Sequence, residues 1–142
     1  MEDYQTMKKR YHDELNSLPI KFAYSDEQFK DALAEMGLTE ADTGRLVRVP
    51  GGGFMKKSES HLLKEAFLRK ENEMESAIQA DTDGTGFIFD MFDCELSNHE
   101  YCITGDPVPA LEACGLSIED VESNPAIKHG LKLAIKAQSE DR

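Results

Sequence analysis

Cys94, His99 and Cys102 place two thiols and an imidazole within nine residues. Such a set could hold a soft metal, or could activate a thiolate beside a base with Asp90 or Asp93 orienting the ring. On a helix Glu95 shares a face with His99. The C-x4-H-x2-C spacing matches no common structural zinc pattern, and a fourth ligand would have to come from afar, with Cys114 the nearest thiol. Surrounding carboxylates raise a thiol pKa and oppose thiolate formation. The bland reading, cysteines filling small gaps in a core, is therefore favoured, and the expectation is no catalytic residue, no metal and no cofactor. A small metal-dependent or thiol enzyme built on Cys94, His99 and Cys102 stays as the alternative.

Two further segments carry chemistry-bearing residues. Asp81-Thr82-Asp83-Gly84-Thr85-Gly86 opens like a calcium-binding loop, with Asp at positions one and three and Gly at six. Position twelve is Phe92, where a bidentate Glu would be needed, so a polar helix-to-helix turn is expected instead. Pro50-Gly51-Gly52-Gly53-Phe54, followed by Lys56 and Lys57, could turn backbone N–H groups and two ammoniums toward a phosphate or carboxylate. It lacks the spacing of a Walker loop, and a hairpin turn needing positive φ accounts for most of it.

Charge is the strongest signal. Between Glu71 and Ile127 there are fourteen Asp and Glu residues and no Lys or Arg. The rest of the chain holds sixteen basic and fourteen acidic residues, so the whole net charge of −12 comes from this one block. Such a surface repels nucleic acid and membranes and attracts basic partners. Surfaces that are acidic only for solubility normally intersperse both signs. The 142 residues hold no apolar run long enough to span a membrane. The N-terminus has no secretory h-region, and three cysteines is an odd number, so a cytoplasmic, reducing setting is expected.

The elements that must position these residues follow from periodicity. Tyr4, Met7, Tyr11 and Leu15 mark a helix over 3–17, ended by Pro19. Ile20, Phe22 and Tyr24 alternate as a short strand. Ser25 caps a helix with Gln28 in a capping box, and Gly37 ends it. Arg45–Val49 and Phe54–Lys56 read as a hairpin around the glycines. Ser58 or Ser60 starts a long helix to about Ala80, with Leu63, Phe67, Met74 and Ile78 as its stripe. The spacing of Ile88, Met91, Phe92 and Leu96 predicts a helix over 87–99. A short helix from Pro107 ends at Gly115, and Asn124 with Pro125 opens the last, carrying Ile127, Leu131 and Ile135. The expectation is one α+β domain over residues 1–142, mainly helical, with five or six helices and a two- or three-stranded antiparallel sheet. Leu63, Phe67, Met74, Ile78, Phe92, Leu96, Leu131 and Ile135 should share its core.

The segments GGGF (Gly51 to Phe54) and GFIFDMFDCELSNHEYCITGD (Gly86 to Asp106) resemble a family of small acidic proteins of gut Firmicutes, their phages and integrative elements. The similarity runs from about Pro19 to Ala137. The family has no established activity to carry over, but its setting implies a role. Mobile elements often encode small acidic proteins that disarm host nucleases, with carboxylates taking the place of phosphates in a DNA-binding groove. The expected function is a non-enzymatic inhibitor of the anti-CRISPR or anti-restriction type, or failing that an acidic adaptor. Its partner would be a basic, nucleic-acid-binding protein surface, with no direct contact to nucleic acid. Asp90, Asp93, Glu95, Glu100, Asp106, Glu119, Asp120 and Glu122 would face that surface, with Phe54 and Tyr101 as apolar anchors.

Overall fold

A computed structural model describes residues 2–141. Eight α-helices account for most of them, with one two-stranded antiparallel sheet. The protein is thus mainly helical α+β. The chain divides into two compact units, residues 11–70 and residues 1–10 with 71–142. It passes between them inside two helices, α1 (Tyr4–Ser17) and α3 (Ser60–Ala80).

In the 11–70 unit, α2 (Asp26–Glu35) begins at Ser25, whose hydroxyl accepts the Gln28 N–H at 3.1 Å. Gln28 reaches back one residue beyond the expected box and accepts from the Tyr24 N–H at 2.8 Å. Gly37, at φ +74°, ends the helix as the Leu38 and Gly37 N–H groups return to the Leu33 and Ala34 carbonyls.

The hairpin pairs β1 (Leu46–Arg48) with β2 (Phe54–Lys56) in the register Leu46–Lys56, Val47–Met55, Arg48–Phe54. Pro50 and Gly51 make its turn, closed from the Gly52 N–H to the Val49 carbonyl at 3.3 Å. Gly51 and Gly52 stand at φ +96° and +93°, which explains two of the three glycines. The third has a packing reason, because a Cβ on Gly53 would come within 2.8 Å of the Ile20 side chain. The predicted Ile20–Tyr24 strand shrinks to one bridge, Lys21 to Phe54, and Phe22 and Tyr24 are exposed. Val49, Met55 and Leu63 form this unit's core with Leu15, Leu18, Ile20 and Val47 against them.

The other unit is all helix, namely α4 (Phe87–Asn98), α5 (Tyr101–Thr104), α6 (Val108–Ala113), α7 (Ile118–Ser123) and α8 (Pro125–Asp141), with the ends of α1 and α3. α4 is its centre, with Ile88, Met91, Phe92 and Leu96 fully buried, and it packs chiefly on α8. α8 starts as expected, with Asn124 Oδ1 accepting the Ala126 and Ile127 N–H groups at 3.0 and 3.2 Å. Helix α7 was not anticipated. It is opened by a box in which Ser117 and Asp120 each accept the other's backbone N–H.

The expected core list needs correction. Leu63 and Phe67 lie in one unit and the other six in the other. Phe67 is 41% exposed, while Met74, Ile78 and Ile135 are half-buried. The buried face of α3 runs instead through Leu63, Ala66 and Ala77, which turns Phe67 onto the flank of the helix.

Asp81 anchors the α3–α4 turn. Its carboxylate accepts the N–H groups of Gly84, Gly86 and Ile88 at 3.1, 3.1 and 2.9 Å, closing the N-terminus of α4. Asp83 likewise accepts from the Thr85 N–H and hydroxyl. The loop that opened like a calcium site thus has its leading carboxylates on backbone donors, with Phe92 buried in the helix beyond. Replacing Asp81 by Ala should lower stability by about 2 kcal/mol in urea unfolding, the upper range for a helix cap, since three donors lose one acceptor group. Adding calcium should leave the wild-type melting temperature unchanged.

Candidate functional site

The acidic block falls wholly into one structural unit. Residues 1–10 with 71–142 hold eighteen acidic and seven basic side chains, a balance of −11, while residues 11–70 hold ten and nine, a balance of −1. Charge therefore segregates with fold, and the first unit carries nearly all of the field.

Its acids divide into two groups. Asp81, Asp83, Asp106 and Asp120 accept backbone N–H groups at turns and helix starts. Asp93 accepts from the buried Gln138 amide at 2.7 Å, Glu73 pairs with Arg10 at 2.5 Å and Glu122 with Lys128 at 3.2 Å. Glu71, Glu100, Glu112 and Glu119 are exposed, Asp90 is half-buried, and among the described residues none of these five takes part in an ion pair. Burial raises the Asp90 carboxyl above its ordinary value, and the charges of Asp3, Asp93 and Asp81 push the same way. A cation arriving at this face would relieve that repulsion. Among the described residues Glu100 is the single non-glycine residue at positive φ, +57°, in the corner between α4 and α5, and Tyr101 beside it is half-buried.

Two of the expected partner residues need a different reading. Glu95 is not on the surface; it is 2% exposed and cannot meet a partner. Its Oε1 accepts from Lys8 Nζ at 2.6 Å and Asn98 Nδ2 at 2.9 Å. Phe54 lies in the near-neutral unit, half-buried and packed on Phe29 with ring centroids 5.3 Å apart. It is an anchor of the hairpin and belongs to no acidic face.

The Glu95 cluster is the chemical feature that sequence reasoning missed. Burial pushes the carboxyl up, but the hydrogen bonds from Lys8 and Asn98, the Lys8 charge and the Tyr4 hydroxyl outweigh it and hold it below the ordinary value. A general base needs a pKa near the working pH, so a carboxylate held down in this way behaves as a structural ion. Burial and the Glu95 charge raise the neighbouring thiols, Cys94 above its usual value and Cys114 to about 12, and the same two causes raise the Tyr4 phenol. Thiols in that state are poor nucleophiles. His99 and Cys102 are exposed. Among the described residues no group of three or more His, Cys, Asp or Glu side chains gathers around a point that could hold a metal, so Cys94, His99 and Cys102 do not converge. A signal for Glu95 was present, because Ile88, Met91, Phe92, Glu95 and Leu96 fall at i, i+3, i+4, i+7 and i+8, which puts the acid on the apolar stripe of α4.

The fold and the charge define a small helical protein with one strongly acidic unit and one near-neutral unit bearing a hairpin. The chain belongs to a family of unknown function, DUF7659, whose model matches residues 3–137. No curated protein and no solved structure matches it. No helix among the described residues is long and apolar enough to cross a membrane.

Proposed function

We propose that the protein is a non-enzymatic binding protein whose acidic unit occupies a basic, nucleic-acid-binding surface of a host defence protein. The observation that carries this reading is the segregation of charge, −11 against −1, between two units of one short chain. A solubilising charge has no reason to collect on one unit, whereas a surface competing for phosphate-binding Lys and Arg needs a concentrated field. The residues offered are the exposed Glu100, Glu112 and Glu119, with Asp90, Asp106, Asp120 and Glu122 beside them in sequence and Tyr101 as the apolar contact. The poor nucleophilicity of Cys94 and Cys114 favours binding over thiol chemistry.

The test is capture from a lysate of a gut Firmicutes bacterium on the immobilised protein. Reversal of charge at Glu100, Glu112 and Glu119 together should reduce recovery of the principal partner at least tenfold. The same change at Glu27, Asp31 and Glu65, exposed acids of the other unit, should leave it within about twofold. Exposed substitutions of this kind shift stability by under ~0.5 kcal/mol each, so both variants should remain folded. Equal losses from the two variants would defeat the proposal.

A further inference from the structure

The hairpin of the 11–70 unit is charged in the opposite sense to the acidic block. From Arg45 to Ser58 there are four basic residues, Arg45, Arg48, Lys56 and Lys57, and no acid. Among the described residues Arg48, Lys56 and Lys57 take part in no ion pair, and Arg45 meets only Asp42, at 3.9 Å. The register places Leu46, Arg48, Phe54 and Lys56 on one face of the sheet. Beside that face lies a cleft of about 720 Å³, whose lining includes Tyr24, Phe29, Arg48, Val49, Gly52 and Phe54. Tyr24 is 85% exposed, a large aromatic surface with nothing over it. Asp26 is the one acid in the lining.

The backbone of this cleft is also unsatisfied. Phe54 turns both its N–H and its C=O to Lys21, each bond being 2.9 Å. In an antiparallel ladder its cross-strand neighbour Arg48 then turns both of its own groups away from β2. Leu46, two residues earlier, points the same way, and its N–H is taken by the Thr43 carbonyl. That leaves the Arg48 N–H, the Arg48 C=O and the Leu46 C=O along the free edge of β1, with no partner among the described residues. An edge of this kind is a template for one more strand.

We propose that β1 accepts an extended acidic peptide segment of a partner protein as an added strand. The Arg48 edge groups would bond its backbone, and the cleft would take its side chains. Arg48 and Leu46 are two residues apart on one face, so the fitting segment carries Asp or Glu opposite Arg48 and an apolar residue two positions away, against Leu46, Phe54 and Tyr24. Single-stranded nucleic acid could use the cations and aromatics. It cannot satisfy alternating backbone donors and acceptors, and the peptide is favoured for that reason.

Panning a phage-displayed library of random octapeptides on the full chain tests this. The selected pool should be enriched at least fivefold over the input in Asp or Glu spaced two positions from an apolar residue. Arg48→Gln, which keeps the edge N–H, should weaken a selected peptide about tenfold and erase the acidic preference. Arg48→Pro, which removes an outward N–H that the hairpin does not use, should abolish binding. Amide spectra would confirm that both variants keep the hairpin. A pool without that spacing, or full binding by Arg48→Pro, would overturn the proposal. So would a twelve-residue oligothymidylate that binds with the same Arg48 dependence while the selected peptides do not.

Discussion

Replacing Gly84 by Ala should cost the fold more than about 4 kcal/mol, the range reached only by severe core defects. Gly84 stands at φ +81° in the α3–α4 turn, where an L side chain is strained by roughly 1–2 kcal/mol. A Cβ there would lie 2.0 Å from the Ala126 carbonyl oxygen and 2.9 Å from the Gly130 nitrogen, both backbone atoms of α8. Neither can swing aside as a side chain could. The α8 side is equally tight, since a Cβ on Gly130 would meet Ile88 Cγ2 at 2.5 Å and the Gly84 carbonyl at 2.7 Å. His129 Nδ1 donates to the Asp83 carbonyl at 2.7 Å and fixes the approach from one side. The control is Gly105→Ala, at φ +68° with nothing within 4 Å of its would-be Cβ. It should lose only the conformational part, about 1 kcal/mol. Urea midpoints compare the two, and similar losses would show that the turn does not seat on α8 as described.

Replacing Lys8 by Met should cost about 3 kcal/mol at neutral pH, because it leaves the Glu95 carboxylate buried without its counter-ion. The dependence on pH should reverse sign. In the wild type the Glu95 pKa lies below its unfolded value, so its contribution is present above the unfolded pKa and is lost as pH falls through the folded one. In Lys8→Met, desolvation, the largest influence on Glu95, is no longer outweighed, and the folded pKa should rise above the unfolded value. That variant gains stability as pH falls. The double variant Lys8→Met with Glu95→Met should recover most of the loss, as apolar replacements of buried pairs commonly do. Chemical denaturation at about pH 3.5 and pH 7.5, which brackets the window below the unfolded carboxyl value, measures all three. A Lys8→Met protein that weakens with acid as the wild type does would refute the assignment of Glu95 as a buried, paired charge.

Much of the architecture could be read from local chemistry. Ser25, Gly37, Asn124 with Pro125, and the Pro50-Gly51 turn each did what their backbone preferences dictate, and α4 followed its period of 3.6. The misses have physical causes. Phe67 falls on the expected stripe with Leu63, Met74 and Ile78, but the buried face of α3 is rotated toward Leu63, Ala66 and Ala77, which leaves Phe67 on its flank. The Ile20–Tyr24 alternation is a true extended segment, yet only Lys21 finds a sheet partner. Helix α7 hid behind a capping box with Asp at the third position where Glu or Gln is usual. For the site, the acidic block was visible as a run of sequence, but which acids are engaged was not. That depends on partners far along the chain, such as Lys8 for Glu95 and Gln138 for Asp93. The cleft beside β1 takes only Gly52 and Gly53 of the glycine run and neither Lys56 nor Lys57 into its lining, and its strand edge appears only once the register is known.

The central claim, that the acidic unit stands in for nucleic acid, is tested most directly by titrating the purified captured partner with the protein at rising salt, with and without duplex DNA. Affinity should fall steeply between 50 and 200 mM salt, as screening shortens to about 8 Å near physiological ionic strength. DNA should displace the protein competitively. An affinity indifferent to salt, or a ternary complex in which the partner holds DNA and this protein together, would contradict it.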